Sequence, residues 1–128
     1  GGRKKTNIDV LNWARQGVEN GAGEILLTSM TADGMKTGYN LYLNKLVSEN
    51  VNVPVIASGG AGKPKDIVDV VLKSGVSAVL AASIFHFGIY SISSVKKEMR
   101  QNGIHVRDCD NYYGWSIYKR DNQSLKKK

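Results

Sequence analysis

Small and hydroxyl-bearing residues stand at the ends of two apolar runs of the sequence, where a phosphate-binding loop would form. Ser58, Gly59 and Gly60 stand at the end of one run, and Ala82 and Ser83 at the end of the next. Glycine lets the backbone approach a ligand without a side chain in the way, and successive N–H groups in such a turn bind anions. The glycine loop alone is a weak indication, but together with the Ala-Ser pair it predicts a phosphate site.

Few other side chains are candidates for catalysis or for binding a metal. Thr28 stands near the end of the first apolar run, and Asp33 follows this run as part of an Asp-Gly pair. Its carboxylate suits general acid-base work or binding of a sugar hydroxyl, and an Asp-Gly pair equally suits a plain turn. Glu24 precedes the same run, where catalysis is not expected and a buried carboxylate would need a basic partner. His105 and Cys109 have no partners at metal-ligand spacing, so we predict neither a metal nor a cofactor.

The elements that would position these residues alternate between two patterns. Helical periodicity and buried apolar runs predict four helices and three strands: helices at 8–20, 40–50, 64–74 and 91–102, and strands at 24–30, 53–58 and 76–83. This alternation is typical of βα units on a parallel sheet, where chemistry lies just beyond the carboxyl ends of the strands. The pattern alone fits either part of an eight-stranded barrel or a small open sheet, whose unpaired edges would need covering.

Composition and charge argue against two classes of partner, nucleic acids and membranes. The 128 residues carry a net charge of +7, yet residues 6–106 hold nine basic and eight acidic side chains. The basic excess therefore lies in the two ends, which argues against a nucleic-acid partner. No apolar run reaches the roughly 18 residues that span a bilayer, so we expect a cytoplasmic protein without a membrane partner. Residues 108–128 form a basic, aromatic tail that we expect to be poorly ordered.

Several segments together resemble the family of HisF, the cyclase subunit of imidazole glycerol phosphate synthase. The matching segments are Glu24–Ser29, Asp33-Gly34, Gly38-Tyr39, Pro54–Gly62 and Leu80–Phe87. The resemblance covers about residues 1–107 and implies an α/β fold, the C-terminal half of a (β/α)8 TIM barrel, with strands equivalent to the sixth to eighth. It also implies an enzyme of histidine biosynthesis. That cyclase uses ammonia to convert a phosphoribulosyl aminoimidazole carboxamide nucleotide into imidazole glycerol phosphate and aminoimidazole carboxamide ribotide.

The resemblance implies roles for individual residues. One phosphate of the phosphorylated nucleotide substrate would bind at Ser58, Gly59, Gly60, Ala82 and Ser83. Asp33, the candidate catalytic residue, and Thr28 would contact the substrate at the end of the sixth strand. Glu24 would contribute to an ammonia gate at the opposite mouth of the barrel, where a HisH-like glutaminase subunit docks.

The sequence also departs from the family. The principal catalytic aspartates of the family lie on its first and fifth strands, before the segment that matches this chain, and so does the second phosphate site. We therefore expect the chain alone to be inactive. Thr31, Met35 and Asn40 stand where the family usually has Asp, Thr and Asp. Two alternative functions remain: a phosphate-binding half-barrel that self-associates, and a related synthase of surface-sugar biosynthesis.

Overall fold

The structure, a computed structural model, describes residues 7–29 and 38–107. The chain alternates helices and strands in this order: α1 (Asn7–Glu19), β1 (Ile25–Thr28), α2 (Leu41–Asn50), β2 (Val55–Ser58), α3 (Pro64–Ser74), β3 (Ala78–Leu80), α4 (Ser83–His86) and α5 (Ile92–Gln101). Asp33, Thr31, Met35, Cys109 and the tail 108–128 lie outside the described residues.

The predicted helices and strands all form, with two corrections. The described residues contain five helices rather than four, because the segment after β3, expected to be a turn, forms the short helix α4. Four residues make little more than one helical turn, which is too short for a 3.6-residue periodicity to show. Each strand is also shorter than its apolar run, and β3 ends at Leu80 rather than continuing to Ser83.

The three strands form a parallel sheet in the order β1-β2-β3. Right-handed crossovers between consecutive parallel strands place the intervening helices on one face of the sheet. Burial along β1 shows which face this is, because the Leu27 side chain is 8% exposed and the neighbouring Leu26 side chain is 58% exposed. A doubly wound sheet would be covered on both faces. The one-sided cover agrees with a segment of a barrel, which the family resemblance implied.

The hydrophobic core lies between the sheet and its helices. Val55 and Ala57 of β2 point into it, and Val47 of α2 and Ile67 and Val70 of α3 meet them there. Neighbouring helices pack side by side along the sheet, α1 against α2, α2 against α3 and α3 against α5. This layer fixes the strands, and therefore the loops at their carboxyl ends.

Local signals set the helix boundaries that matter for those loops. Asn40 caps α2, where its side-chain oxygen accepts a hydrogen bond from Leu43 N at 3.0 Å. Pro64 occupies the first turn of α3, and Gly75 ends that helix in the left-handed conformation at φ 68°. Both are residues that these positions favour, because proline fixes a helical φ and glycine tolerates a positive one.

Candidate functional site

The strand register brings the predicted phosphate-binding residues to one edge of the sheet. Thr28, the last residue of β1, pairs with Ser58, the last residue of β2. Ser58 in turn pairs with Leu80, the last residue of β3. Because all three strands run in parallel and end level, the segments that follow them, including Ala82 and Ser83, emerge side by side. We call this the carboxyl edge.

The glycine loop after β2 has a backbone that other residues seldom adopt. Gly59 and Gly60 have φ values of 88° and 117°, in the region that favours glycine. Among the described residues, no hydrogen bond uses the Gly60 N–H. One strand along, the first N–H groups of α4, which begins at Ser83, have no partner within the helix. Two sets of backbone donors therefore flank the same edge.

At the start of the neighbouring helix α3, a carboxylate of the protein accepts hydrogen bonds from backbone N–H groups. One carboxylate oxygen of Asp66 accepts hydrogen bonds from Gly62 N at 2.9 Å and from Lys63 N at 3.1 Å. This is the position at which a carboxylate closes a capping box. The Asp66 carboxylate therefore already occupies these backbone donors at the start of α3, and Lys63 and Lys65 are exposed there.

Residues 38–40 lie against both sides of this edge. Gly38 N donates a hydrogen bond to Gly60 O at 2.8 Å, and the Tyr39 hydroxyl donates one to Leu80 O at 2.8 Å. The Tyr39 side chain is only 6% exposed. Burial, and secondarily the negative charge of Asp66, raise the pKa of Tyr39 well above its ordinary value, so the hydroxyl keeps its proton.

A family model and several curated relatives match this sequence. The family model for histidine biosynthesis proteins matches residues 1–91. The chain belongs to the histidine biosynthesis protein family. It is 54% identical over 107 residues to imidazole glycerol phosphate synthase subunit HisF of Methanobrevibacter smithii, 84% of this chain and 39% of that protein. It is also 54% identical over 106 residues to HisF of Dehalococcoides mccartyi, and 53% over 107 to HisF of Petrotoga mobilis.

These relatives confirm the resemblance to the HisF family and the barrel class of the fold. The last two matches cover 83% and 84% of this chain and 42% of each relative. The chain thus spans about two fifths of the length of the curated relatives it matches. What it shares with HisF is a set of consecutive βα units, and the carboxyl edge described above lies within them.

Glu24 lies away from the residues that are predicted to bind phosphate. It directly precedes β1, and its side chain is exposed rather than buried. Four strand residues separate it from the carboxyl edge, a distance of about 13 Å. A groove between the ends of α1 and α2 lies at the same end of the segment, with Arg15 Nη2 donating to Asn50 Oδ1 at 3.0 Å.

Sequence reasoning missed two polar residues of the HisF segment that shape the carboxyl edge, Tyr39 and Asp66. The signal for Asp66 was present, since it stands three residues after Lys63 and just beyond Pro64, where a capping carboxylate belongs. For Tyr39 the sequence gives no comparable signal, because its partner Leu80 lies 41 residues away. Only the fold shows that pair.

Within residues 7–29 and 38–107, no three side chains of His, Cys, Asp or Glu come together as metal ligands would. None of the helices described is both long enough and apolar enough to cross a membrane.

Proposed function

We propose that this chain contributes the sixth to eighth βα units of a HisF cyclase. The reaction is the ammonia-dependent conversion of the phosphoribulosyl aminoimidazole carboxamide nucleotide into imidazole glycerol phosphate and aminoimidazole carboxamide ribotide. The names of the relatives favour this histidine-pathway reaction over that of a surface-sugar synthase.

The role we assign to this segment is to bind one phosphate of that substrate. The binding residues are Ser58, Gly59, Gly60, Ala82 and Ser83. One observation carries the proposal: β2 and β3 end level in the sheet, so that the positive-φ glycine loop and the start of α4 follow neighbouring strand ends. Backbone N–H groups directed at one point are a recurrent way of holding a phosphate, because they supply partial positive charge without a mobile side chain.

The reacting part of the substrate would lie at the carboxyl edge, where the face of the sheet that no described helix covers, the open face, ends. Thr28 is exposed there, beside Ser58 in the register, and its hydroxyl is suited to contact a substrate oxygen. Asp33 follows the same strand in sequence, and we assign it acid-base work on the substrate. General acid-base catalysis by one positioned group contributes about 10² to 10⁴ in rate.

We assign Glu24 to an ammonia gate at the opposite mouth, next to a HisH-like glutaminase. The path from that mouth to the phosphate site would follow the open face, whose first layer is formed by Leu26, Ile56 and Ala78 in register. An apolar lining admits neutral ammonia and disfavours the ammonium ion, because an unpaired charge is costly to remove from water.

A Glu24→Ala substitution in the assembled synthase would then lower glutamine-driven turnover more than turnover on added ammonium salt.

The phosphate site is tested by a matched pair of glycine substitutions. Gly60→Ala places a methyl group on the loop backbone at φ 117°, and Gly103→Ala creates a similar positive-φ strain at 79° just beyond α5. A methyl group at Gly103 meets no other atom within 4 Å. We expect both variants to lose a similar amount of stability, about 1 kcal/mol or more, and only Gly60→Ala to lose binding of inorganic phosphate.

The measurement is an NMR titration of the chain with inorganic phosphate, following the amide signals of Gly59, Gly60 and Ser83. Saturable shifts at these three amides that disappear in Gly60→Ala and persist in Gly103→Ala would support the site. If phosphate moved none of them in the unsubstituted chain, the assignment would be wrong.

Self-association is a second candidate function, favoured by the open face. Leu26 and Leu80 are 58% and 46% exposed there, and the outer edges of β1 and β3 have no strand partner among the described residues. Unpaired edges and exposed leucines favour pairing with another copy. Sedimentation of the isolated chain decides this point: a well-folded monomer at all concentrations would exclude it.

A further inference from the structure

The two halves of the proposed phosphate site are joined by a single short segment. Gly38 N bonds to Gly60 O on the β2 side, and Tyr39 Oη bonds to Leu80 O on the β3 side, each at 2.8 Å. Adjacent residues of one segment therefore hold the glycine loop and the strand that leads into Ala82 and Ser83. We call Gly38 and Tyr39 the bridge.

The bridge is held in place from three directions. The Tyr39 ring is part of the hydrophobic core. Asn40, the next residue, caps α2 and so fixes the start of that helix. The Asp66 carboxylate lies beside Gly38, because a Cβ built on Gly38 would lie 3.4 Å from Asp66 Oδ1. The same carboxylate bonds to the loop at Gly62 N. These contacts fix the position from which the Tyr39 hydroxyl donates its hydrogen bond to Leu80 O.

We propose that Tyr39 is a positioning residue for phosphate binding, which sets the separation between the Gly59-Gly60 loop and Ala82-Ser83. The inference rests on the proposed function. A phosphate held by backbone donors from two separate loops binds well only when both loops stand at the right distance, since affinity depends on preorganisation of the donors. Tyr39 touches neither the phosphate nor the reacting atoms, and acts through the Leu80 carbonyl.

The test compares two hydroxyl deletions in the 128-residue chain. Tyr39→Phe removes the bond to Leu80 O and keeps the buried ring. Ser74→Ala, the matched control, removes an equivalent bond from a buried hydroxyl to a backbone carbonyl, Ser74 Oγ to Leu41 O at 2.7 Å. Ser74 is 2% exposed and joins α3 to the start of α2, away from the glycine loop and α4.

We expect Tyr39→Phe to raise the Kd for inorganic phosphate about 2- to 10-fold, as the loss of one hydrogen bond would. Ser74→Ala should lose comparable stability in urea and keep the Kd of the unsubstituted chain. In Tyr39→Phe the amide signals of Gly60 and Ser83 should also shift before phosphate is added. A purely structural role for Tyr39 would move the urea midpoint and leave the Kd unchanged.

The outcomes separate the inference from the function on which it rests. If the unsubstituted chain binds phosphate and Tyr39→Phe binds it equally well, the positioning role is wrong and the phosphate site stands. If the unsubstituted chain does not bind phosphate, the proposed function is wrong and the inference falls with it. Should Tyr39→Phe fail to fold, Gly38→Ala strains the other arm of the bridge at φ 102° and should weaken phosphate binding to a similar degree.

Discussion

The two faces of the sheet use the same strands for different purposes. On the covered face, Leu27, Val55 and Ala57 pack against the helices and are almost inaccessible to water. On the open face, no described helix packs over the sheet, and Leu26 is mostly exposed. Residues adjacent in sequence therefore differ in what they contribute, because successive side chains of a strand point to opposite faces.

The difference separates stability from function in this segment. The covered face contains the core that holds the βα units together. The open face ends at Thr28 and Ser58, the residues we place next to the substrate. Leucine and isoleucine on the open face belong in the interior of a closed barrel, where side chains from the strands fill the space. The predictions below test this division, starting with the covered face.

Leu27→Ala should produce the largest loss of stability. The side chain is buried against the helices, and removing a buried leucine side chain typically costs about 2 to 5 kcal/mol, because a cavity remains. Urea denaturation of the chain, followed by circular dichroism, measures the change in the free energy of unfolding. A loss below about 1 kcal/mol would mean that the covered face is not the core of the folded chain.

Alkaline pH should lower the free energy of unfolding, because the buried Tyr39 hydroxyl at the carboxyl edge resists ionisation in the folded chain. The pKa of this hydroxyl is raised in the folded chain above about 10, the value it has when unfolded. Its contribution to stability is therefore complete below pH 10 and is lost as the pH rises above 10 toward the folded pKa. The slope reaches about 1.4 kcal/mol per pH unit.

The Tyr39→Phe variant isolates this contribution. It lacks the titrating group and keeps every lysine, so the lysine contributions cancel when the two unfolding free energies are compared between pH 9 and 11. The difference between the two proteins should shrink as the pH rises above 10. A difference that stays constant over this range would show that Tyr39 is not buried with its proton.

Asn40 should stabilise the covered face more modestly, through the cap of α2. Asn40→Ala removes the acceptor for Leu43 N and should cost about 1 kcal/mol. Asn40→Asp, which introduces the residue usual in the family, should be nearly neutral at pH 7, since Asn and Asp are comparable caps. Thermal unfolding of both variants measures this. Equal losses in the two would indicate that the amide nitrogen, and not the capping oxygen, matters at this position.

Much of the fold was predictable from sequence because its signals are local. Helix α3 has proline at its start, glycine at its end and an apolar stripe between them, and its bounds match the prediction. The parallel sheet followed from the alternation of helices and strands. Helix α4 was missed because four residues give no periodicity, and the sequence pattern left open whether the sheet belonged to a barrel or stood alone.

The candidate site was predictable only where its chemistry resides in the local backbone. Gly59 and Gly60 stand out in the sequence, since glycine after a strand points to an unusual φ, and both do have positive φ. The bridge could not be predicted, because its two hydrogen bonds join residues 22 and 41 positions apart. Asn40, which stands where the family usually has Asp, caps α2, a role that the sequence did not indicate.

Leu26→Ala should have the smallest effect on the free energy of unfolding, and it tests the difference between the covered and open faces most directly. With 58% of the side chain already exposed, its removal from the isolated chain takes away little buried area, so the cost should stay below about 1 kcal/mol. Leu27→Ala is the matched control, since it makes the same chemical change one residue along the same strand. A cost for Leu26→Ala near that of Leu27→Ala would show that the open face is buried in solution. Concentration-dependent unfolding would then assign the burial to a second copy of the chain, because only association makes stability depend on protein concentration.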